Sequence, residues 1–232
     1  MRSLSSRTIA EEQMDSPDLP AETYARVLSD LAMVNRLTLA SLPTIEFLRR
    51  AVGARKHFSL LDVGFGQGDM LRTIARWAKR QGVTTDLVGI DLNPGSEVNA
   101  RAATPPDMSI RYRTGDYKAL AGEGFDFVAS SIVTHHMSHA ELVEFLRFME
   151  GEAVVGWLVN DLHRRYFPYY GFPVLAVLMG WHRIVRQDGQ LSIARSFRRD
   201  DWNELLDEAG IDRDTVRIAR RFPFRLCVER LR

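Results

Sequence analysis

Three glycines lie close together in a stretch of the chain that also carries two carboxylates. Gly64, Gly66 and Gly68 stand at alternate positions between Asp62 and Asp69. Glycine lets the backbone approach a ligand closely and permits positive φ angles, and a helix that begins after such a loop presents unpaired N–H groups. We therefore expect the loop to hold a nucleotide-like ligand, and a Cβ at Gly66 to obstruct its approach.

The spacing of these glycines argues against a dinucleotide. In a dinucleotide fingerprint the third glycine would fall at position 69, where this chain has Asp69. A carboxylate at the mouth of a helix also competes with a pyrophosphate for the same N–H groups. The ligand is therefore expected to lack a diphosphate.

Two further aspartates follow later strand-like runs. The two oxygens of Asp91 can accept hydrogen bonds from both hydroxyls of a ribose, and charge-assisted bonds of this kind contribute about 1.5–3 kcal/mol each. Leu92 is then expected to cover one face of the base. Asp116, with Tyr117 beside it, can accept from the amino group of a base, or alternatively form a helix cap or Asx turn.

The elements that position these residues alternate regularly. Apolar residues at three- and four-residue steps predict one or two helices over 22–53 and further helices over about 69–80, across 142–149 and around 200–209, and a short helix is expected after Asn93-Pro94-Gly95. Short apolar runs predict strands over 58–63, 86–91, 110–114, 125–131, 153–159, 216–219 and 222–228. Strands that alternate with helices imply right-handed crossovers and a parallel sheet covered on both faces.

The run Leu-Asp-Val-Gly-x-Gly-x-Gly over 61–68 resembles the first motif of the class I S-adenosylmethionine-dependent methyltransferases. The resemblance extends from about residue 58 to residue 161, through Asp91-Leu92-Asn93, Gly115-Asp116, Ser130-Ser131 and His135-His136. It implies a Rossmann-like, doubly wound α/β fold with a seven-stranded, mostly parallel sheet. It also implies that S-adenosylmethionine is the cofactor and S-adenosylhomocysteine the product.

The resemblance assigns the cofactor site residue by residue. The expected cofactor-binding residues are Asp62, Gly64, Phe65, Gly66, Gly68, Asp91, Leu92, Asp116, Tyr117, Ser131 and Arg36. Asp62 is expected to act on the methionine ammonium, through water or the loop backbone. Arg36 would hold the methionine carboxylate, unless it only forms a surface ion pair. Phe65 replaces the smaller residue that is commoner in the family, and its bulk is expected to reshape the methionine site.

The histidines include candidates for the base that removes a proton from the methyl acceptor. His135 and His136 follow the fourth strand, where open α/β sheets bind ligands. His136 is the first candidate, because family members carry a histidine beside the methyl-transfer pocket and a positioned histidine contributes about 10²–10⁴-fold. Either histidine could instead orient the loop. Asp161 would orient a histidine or accept a proton, unless it is the N-cap of the next helix. No metal is expected.

The alternating pattern breaks after Asp161 for nearly forty residues. This insertion, 162–198, is rich in aromatic residues and is expected to lie above the cofactor as an apolar lid, as insertions after the fifth strand do in this family. An apolar lid favours an apolar acceptor; the alternative is that these side chains only bury the edge of the core. The expected substrate-binding residues are His163, Tyr166, Tyr169, Tyr170, Met179 and Arg195.

Composition restricts the partners. The chain has 31 Lys and Arg against 30 Asp and Glu, a net charge of +1, which gives no broad positive field for nucleic acid. Cys227 is the only cysteine, so neither an intramolecular disulfide nor a cysteine-based zinc cage can form. The stretch 166–181 contains two prolines and two glycines and is too short for a bilayer span. We expect a cytoplasmic protein without stable membrane insertion.

These observations predict one enzyme. A flexible tail over 1–21 would precede a single methyltransferase domain over 22–232, with a helical cap over 22–54 and a lid insertion over 162–198. The run from Arg183 to Arg199 is similar to a bacterial branch associated with quinone and aromatic polyketide pathways. Methyl transfer to a phenolic hydroxyl or activated carbon of a small aromatic or polyketide-like metabolite is expected, by a monomer or homodimer. The alternatives are methylation of protein or RNA, or a module that binds the cofactor without catalysis.

Overall fold

The protein is built around one seven-stranded sheet. The computed structural model describes residues 4–16 and 18–232. The strands are β1 (His57–Val63), β2 (Thr84–Asp91), β3 (Ile110–Thr114), β4 (Phe125–Ser131), β5 (Ala153–Leu162), β6 (Val216–Arg221) and β7 (Arg225–Leu231). Their spatial order is β3-β2-β1-β4-β5-β7-β6. Six of these strands run in the same direction, and β7 runs in the opposite one. The predicted doubly wound, mostly parallel sheet is confirmed.

Eight helices of the described chain cover the sheet and its carboxyl edge. They are α1 (Ala21–Leu37), α2 (Leu42–Val52), α3 (Asp69–Gln81), α4 (Pro94–Ala103), α5 (His139–Glu152), α6 (Tyr166–Leu178), α7 (Arg183–Arg195) and α8 (Arg199–Ala209). The sequence placed the last strand three residues too early, because residues 222–224 form the turn between β6 and β7. The first two helices occupy the region of the expected cap.

Alternate side chains of the strands enter two different cores. Leu61 belongs to a core formed with α5 and α8, whereas its neighbour Leu60 belongs to a core formed with α2 and α3. Burial on both faces explains why these strands are continuous apolar runs. The loops that follow the carboxyl ends of these strands carry the candidate site.

The N-terminal segment, residues 4–16, packs against the domain, which differs from the flexible tail expected over 1–21. Leu4 is 1% exposed and packs in a cluster with Tyr169 and Ile193. The backbone N–H of Thr8 donates to the carbonyl of Ala194 at 3.2 Å. The segment is ordered because its buried apolar and charged side chains contact α7, which is distant in the sequence. Residues 1–3 and Pro17 lie outside the described residues.

The insertion forms two helices, α6 and α7, that pack against each other. The inner side of α6 carries Ala176, which lies in a buried cluster with Val27 and Val34 of α1 and Trp181. Its outer side carries apolar residues that are exposed. The insertion therefore leans on α1 beside the site.

Candidate functional site

The glycine loop joins β1 to α3 and opens towards a cavity. Gly64 and Gly68 have φ of +78° and +75°, and a Cβ on either would clash with the side chain of Val133 or of Tyr112 respectively. At Gly66, with φ of +53°, the nearest atom to a Cβ would be a methyl carbon of Leu28 at 4.0 Å. A Cβ at Gly66 would therefore meet no clash, and the positive φ is what disfavours a side chain there.

Asp91 ties the end of β2 to this loop. Its Oδ2 accepts a hydrogen bond from the backbone N–H of Gly66 at 2.9 Å, and its Oδ1 accepts one from the N–H of Asn93 at 2.9 Å. Burial raises the pKa of Asp91, an effect that these two hydrogen bonds oppose. Each carboxylate oxygen has a second acceptor site, so the group can bind a ligand hydroxyl while it holds the loop.

Asp62 is a buried carboxylate to which the described residues supply no cationic partner. Its side chain is 2% exposed, and Oδ1 has no hydrogen-bond partner in the described part of the chain. Burial, followed by the negative charges of Asp69 and Asp91, raises the pKa of Asp62 to about 8. A buried group without a partner is costly, and an ammonium placed beside it would reverse the shift. The three carboxylates select for a cationic ligand and against a diphosphate.

A cavity of about 1050 Å³ begins at this loop. Its walls come from the glycine loop, the loops after β2, β3 and β4, the N-terminal segment and α1. The volume is at the upper end of the usual range for ligand pockets, about 300–1,000 Å³. The cavity therefore has room for two molecules side by side.

Most of the expected cofactor residues line this cavity. They are Asp62, Gly64, Phe65, Gly66, Asp91, Leu92, Asp116, Tyr117 and Ser131. Leu92 is 76% exposed at the cavity, as a residue that covers a base requires. Asp116 also accepts from the backbone N–H of Lys118 at 2.9 Å, so it forms the Asx turn that was the alternative to a binding role.

Two of the expected cofactor residues do not line the cavity, and Phe65 lines it with its ring packed into the core. Gly68 lies behind the wall, at the start of α3. Arg36 is exposed and outside the cavity wall, because it lies on another side of α1 from its neighbour Asn35, which lines the cavity. The ring of Phe65 is buried under the loop, 4.9 Å from that of Tyr112, so its bulk is accommodated in the core.

His136 is the only one of the three expected catalytic residues in the cavity wall. Its side chain is 26% exposed, and its Nδ1 lies 2.8 Å from Oδ2 of Asp15. Burial lowers the pKa of His136, but the hydrogen bond with Asp15 and the charges of Glu12 and Asp15 outweigh burial and raise it above its usual value. Asp15 thus holds the ring through one nitrogen and favours the protonated form.

His135 and Asp161 form a pair inside the protein. Nδ1 of His135 lies 2.8 Å from Oδ1 of Asp161, and Oδ2 of Asp161 accepts from the hydroxyl of Thr134 at 2.5 Å. Burial raises the pKa of Asp161, but His135 and Thr134 outweigh it and hold the pKa at about 2. Neither residue lines the cavity. The pair fixes the loop that carries His136, which is the orienting role weighed from the sequence.

None of the six expected substrate-binding residues lines the cavity. His163 and Tyr169 are buried elsewhere, and the exposed residues of α6 face away from it. Arg195 is buried, and its guanidinium donates to the backbone carbonyls of His135, His136 and Ala10 at 3.0, 2.9 and 2.9 Å. The geometric reason is that α6 packs outside α1, which itself forms the wall.

The wall opposite the glycine loop was missed from the sequence. It is formed by Met14, Asp15, Ser16, Leu19, Ala21, Tyr24, Leu28, Leu31, Ala32 and Asn35. The segment is held by α7, because Ser192 donates to Glu12 at 2.8 Å and Asp188 accepts from the N–H of Met14 at 2.9 Å. The apolar spacing of Leu28 and Leu31 signalled a helix, but no local pattern signalled which side faced the ligand.

Glu12 lies between the two histidines. Its carboxylate oxygens are 3.8 Å from Nε2 of His135 and 3.8 Å from Nε2 of His136. Ligand atoms of these three residues all lie within 4.8 Å of one another. These separations exceed the roughly 3.3 Å between ligands of a tetrahedral zinc that follows from its bond lengths. The arrangement is that of an ion-pair network that pins the N-terminal segment over His136.

The site fits S-adenosylmethionine. Asp62 offers a free carboxylate oxygen for its ammonium, Gly66 leaves space at the loop, and Asp91 offers acceptor sites for its ribose. Residues 60–150 match the family model described as a methyltransferase domain. No curated protein sequence matches the chain significantly.

Solved structures share the fold. Magnesium protoporphyrin IX methyltransferase from Synechocystis PCC 6803, with bound S-adenosylhomocysteine, is 15% identical, covers 95% of this chain and 91% of its own, and has a TM-score of 0.54. The plantazolicin methyltransferase BamL is 13% identical, with 83% and 70% covered and a TM-score of 0.62. The CurJ carbon methyltransferase is 13% identical, with 92% and 61% covered and a TM-score of 0.63.

Proposed function

We propose that this chain is a class I S-adenosylmethionine-dependent methyltransferase and that it methylates a small apolar molecule bound between the glycine loop and the wall formed by the N-terminal segment and α1. The observation that carries the proposal is the composition of the wall opposite the loop. Met14, Leu19, Leu28 and Leu31 supply apolar side chains there, and His136 supplies a titratable one. Such a wall suits an aromatic or polyketide-like acceptor with one ionisable hydroxyl or acidic carbon.

The residues of the chain have separate tasks in this reaction. S-adenosylmethionine supplies the methyl group from its sulfonium. Asp62 and Asp91 hold the donor, the N-terminal segment excludes water, and orientation of this kind accounts for up to about 7–11 kcal/mol of a barrier. His136 in its neutral form accepts the proton that the acceptor loses, while Asp15 holds its ring.

Several features support a small acceptor over a protein or an RNA. The cavity is bounded by the N-terminal segment, which packs along α7. The net charge is +1, too small for broad nucleic-acid binding. The structural neighbours named above are described as acting on a magnesium porphyrin and on plantazolicin, or as a carbon methyltransferase.

The acceptor class is tested with methyl-labelled S-adenosylmethionine. The enzyme is incubated with a cell extract, and the products are separated into organic-extractable small molecules, protein and RNA. We expect label in the organic fraction and loss of that label with His136→Gln. Label confined to protein or RNA would refute the small-molecule proposal.

Donor binding is measured separately by calorimetry. Asp91→Ala is expected to weaken S-adenosylmethionine binding by about 10- to 100-fold, from the loss of charge-assisted hydrogen bonds. Asp86→Asn is the matched control, because Asp86 is exposed on the same strand and pairs with Arg111. Equal affinities of the two variants would refute the role of Asp91.

A further inference from the structure

An apolar face of α6 is exposed on the surface of the protein. Between Tyr166 and Trp181 the chain has no charged residue. The exposed apolar side chains are Phe167, Tyr170, Val174, Leu175, Val177, Leu178 and Met179. Phe167 and Leu178 are 75% and 78% exposed. Residues 167, 170, 174 and 178 follow the three- and four-residue steps of one helix side, so they form a continuous strip.

The turn between β6 and β7 extends this strip. Phe224 lies with its ring 5.3 Å from that of Phe167, and Phe222 is 74% exposed. Aromatic rings at the edge of an apolar helix are typical of segments that enter the boundary between lipid headgroups and acyl chains. Isolated surface apolar residues need no explanation, but a contiguous strip of this kind marks a contact surface.

The two chain segments that carry the strip contain arginines and no acidic residue of their own. From His163 to Gln187 the chain has four arginines and no aspartate or glutamate. The β6–β7 hairpin likewise has none from Val216 to Val228, where it has four arginines. Within the described residues, Arg165, Arg183 and Arg220 make no ion pair. Their charges are therefore available to a partner.

The arginines lie near one another as well as near the strip. The pKa of His163 is lowered to about 4, first by burial and then by the positive charges of Arg165, Arg220, Arg198 and Arg164. Arg165 and Arg220 come from the two segments, which also meet directly, because the backbone N–H of His163 donates to the carbonyl of Phe224 at 2.9 Å. The two unpaired arginines therefore lie in one region beside the apolar strip. Anionic headgroups complement such a region at about 1 kcal/mol for each arginine near the surface.

We propose that the outer face of α6 and the β6–β7 turn form a docking surface for an anionic lipid membrane. In the described chain no helix is long and apolar enough to cross a membrane, so the contact is with its surface. A second copy of the chain is a poorer match, because face-to-face docking would bring two arginine regions together. The proposal goes beyond the proposed function and does not require it.

The inner side of the same helix lies behind the cavity. Ala176 of α6 and Trp181 belong to a cluster against which Met14, Leu19 and Leu31 pack. Those three residues also line the cavity. One layer of side chains therefore separates the membrane-facing helix from the space assigned to the acceptor.

The test is co-flotation of the full chain with vesicles. Vesicles of phosphatidylcholine alone are compared with vesicles that contain about 30 mol% phosphatidylglycerol, at about 0.1 M and about 0.5 M salt. We expect the chain to float with the anionic vesicles and to be released by the higher salt. Failure of the wild-type chain to bind anionic vesicles would overturn the proposal.

Two variants separate the apolar and the charged contributions. Phe167→Ser with Leu178→Ser is expected to reduce partitioning at least about tenfold, since both side chains are exposed and would enter lipid. Arg165→Gln with Arg220→Gln is expected to reduce it about fivefold for each arginine, and only on anionic vesicles. Unchanged partitioning of the serine variant would also refute the proposal.

Matched controls lie at the other end of the parallel strands, where these strands begin. Val154→Ser replaces an exposed apolar residue at the start of β5, and Arg80→Gln removes an exposed arginine at the end of α3. Both are expected to partition as the wild type does. Light scattering of the same samples detects a second copy: a dimer that the serine variant dissociates, without vesicle binding, would assign the strip to self-association instead.

Discussion

The N-terminal segment and the insertion occupy different positions relative to the cavity. The insertion is aromatic and lid-like in composition, yet its helix α6 lies outside the cavity wall. The N-terminal segment, expected to be a flexible tail, supplies Met14 and Asp15 to the wall. The second helix of the insertion, α7, nevertheless holds the segment through Asp188 and Ser192. Composition thus indicated that a cover exists, and long-range pairing decided which part of the chain provides it.

The largest effect is expected from deletion of residues 1–16. This change removes the part of the wall that carries Met14 and Asp15, so the acceptor loses its orientation and water enters. We expect turnover to fall about 100-fold or more, the scale on which small misplacements act. Turnover is measured with a small-molecule acceptor at saturating donor. A truncated chain that keeps half of its rate would refute the assignment of the wall.

A smaller effect, on stability, is expected for Arg195, the arginine of α7 that binds both the N-terminal segment and the loop of the two histidines. Arg195→Met removes three hydrogen bonds to the carbonyls of His135, His136 and Ala10. We expect the free energy of unfolding to fall by about 2–4 kcal/mol, because buried charge-assisted bonds are lost. Denaturant titration measures it. Arg183→Met, an exposed change on the same helix, should stay within about 0.5 kcal/mol of wild type.

The third prediction concerns pH. Asp15 raises the pKa of His136, and a general base works when it is deprotonated. Activity should therefore rise with pH through this raised pKa. Asp15→Asn removes the stabilisation of the imidazolium, so the acid side of the kcat/KM profile should move to lower pH. Asp18→Asn, an exposed neighbour, should leave the profile in place. A profile that does not move in Asp15→Asn would remove His136 from general-base duty.

The smallest effect is expected on the outer side of the insertion. Phe167→Ser with Leu178→Ser changes side chains outside the cavity wall. Turnover of a water-soluble acceptor without vesicles should stay within about twofold of wild type, as surface changes away from a site usually do. A large loss in this assay would show that the insertion acts on the cavity after all.

The predictable part of the molecule is the part that local patterns specify. Buried parallel strands are short apolar runs, and the loop of Gly64, Gly66 and Gly68 needs positive φ angles that the sequence makes visible. Asp91 follows from its place at the end of β2. These features rest on residues within a few positions of one another.

The parts of the site that the sequence did not predict depend on contacts between residues that are distant in the chain. Arg36 and Asn35 are neighbours, and only the rotation of α1 decides that Asn35 lines the cavity. Arg195 has the burial expected of a pocket residue, but its partners are backbone carbonyls of the histidine loop. For α6, an apolar sequence is compatible with a core or with a surface, and periodicity alone does not distinguish them.

The contact between Ser192 and Glu12 joins residues 180 positions apart in the chain. The part of the wall that carries Met14 and Asp15 is therefore supported by a helix that is distant from it in the sequence. Contacts of such sequence separation form late, because loop closure costs entropy before they give stability. During folding, the glycine loop is therefore expected to form before the N-terminal segment is fixed against α7, so the cavity gains this part of its wall last.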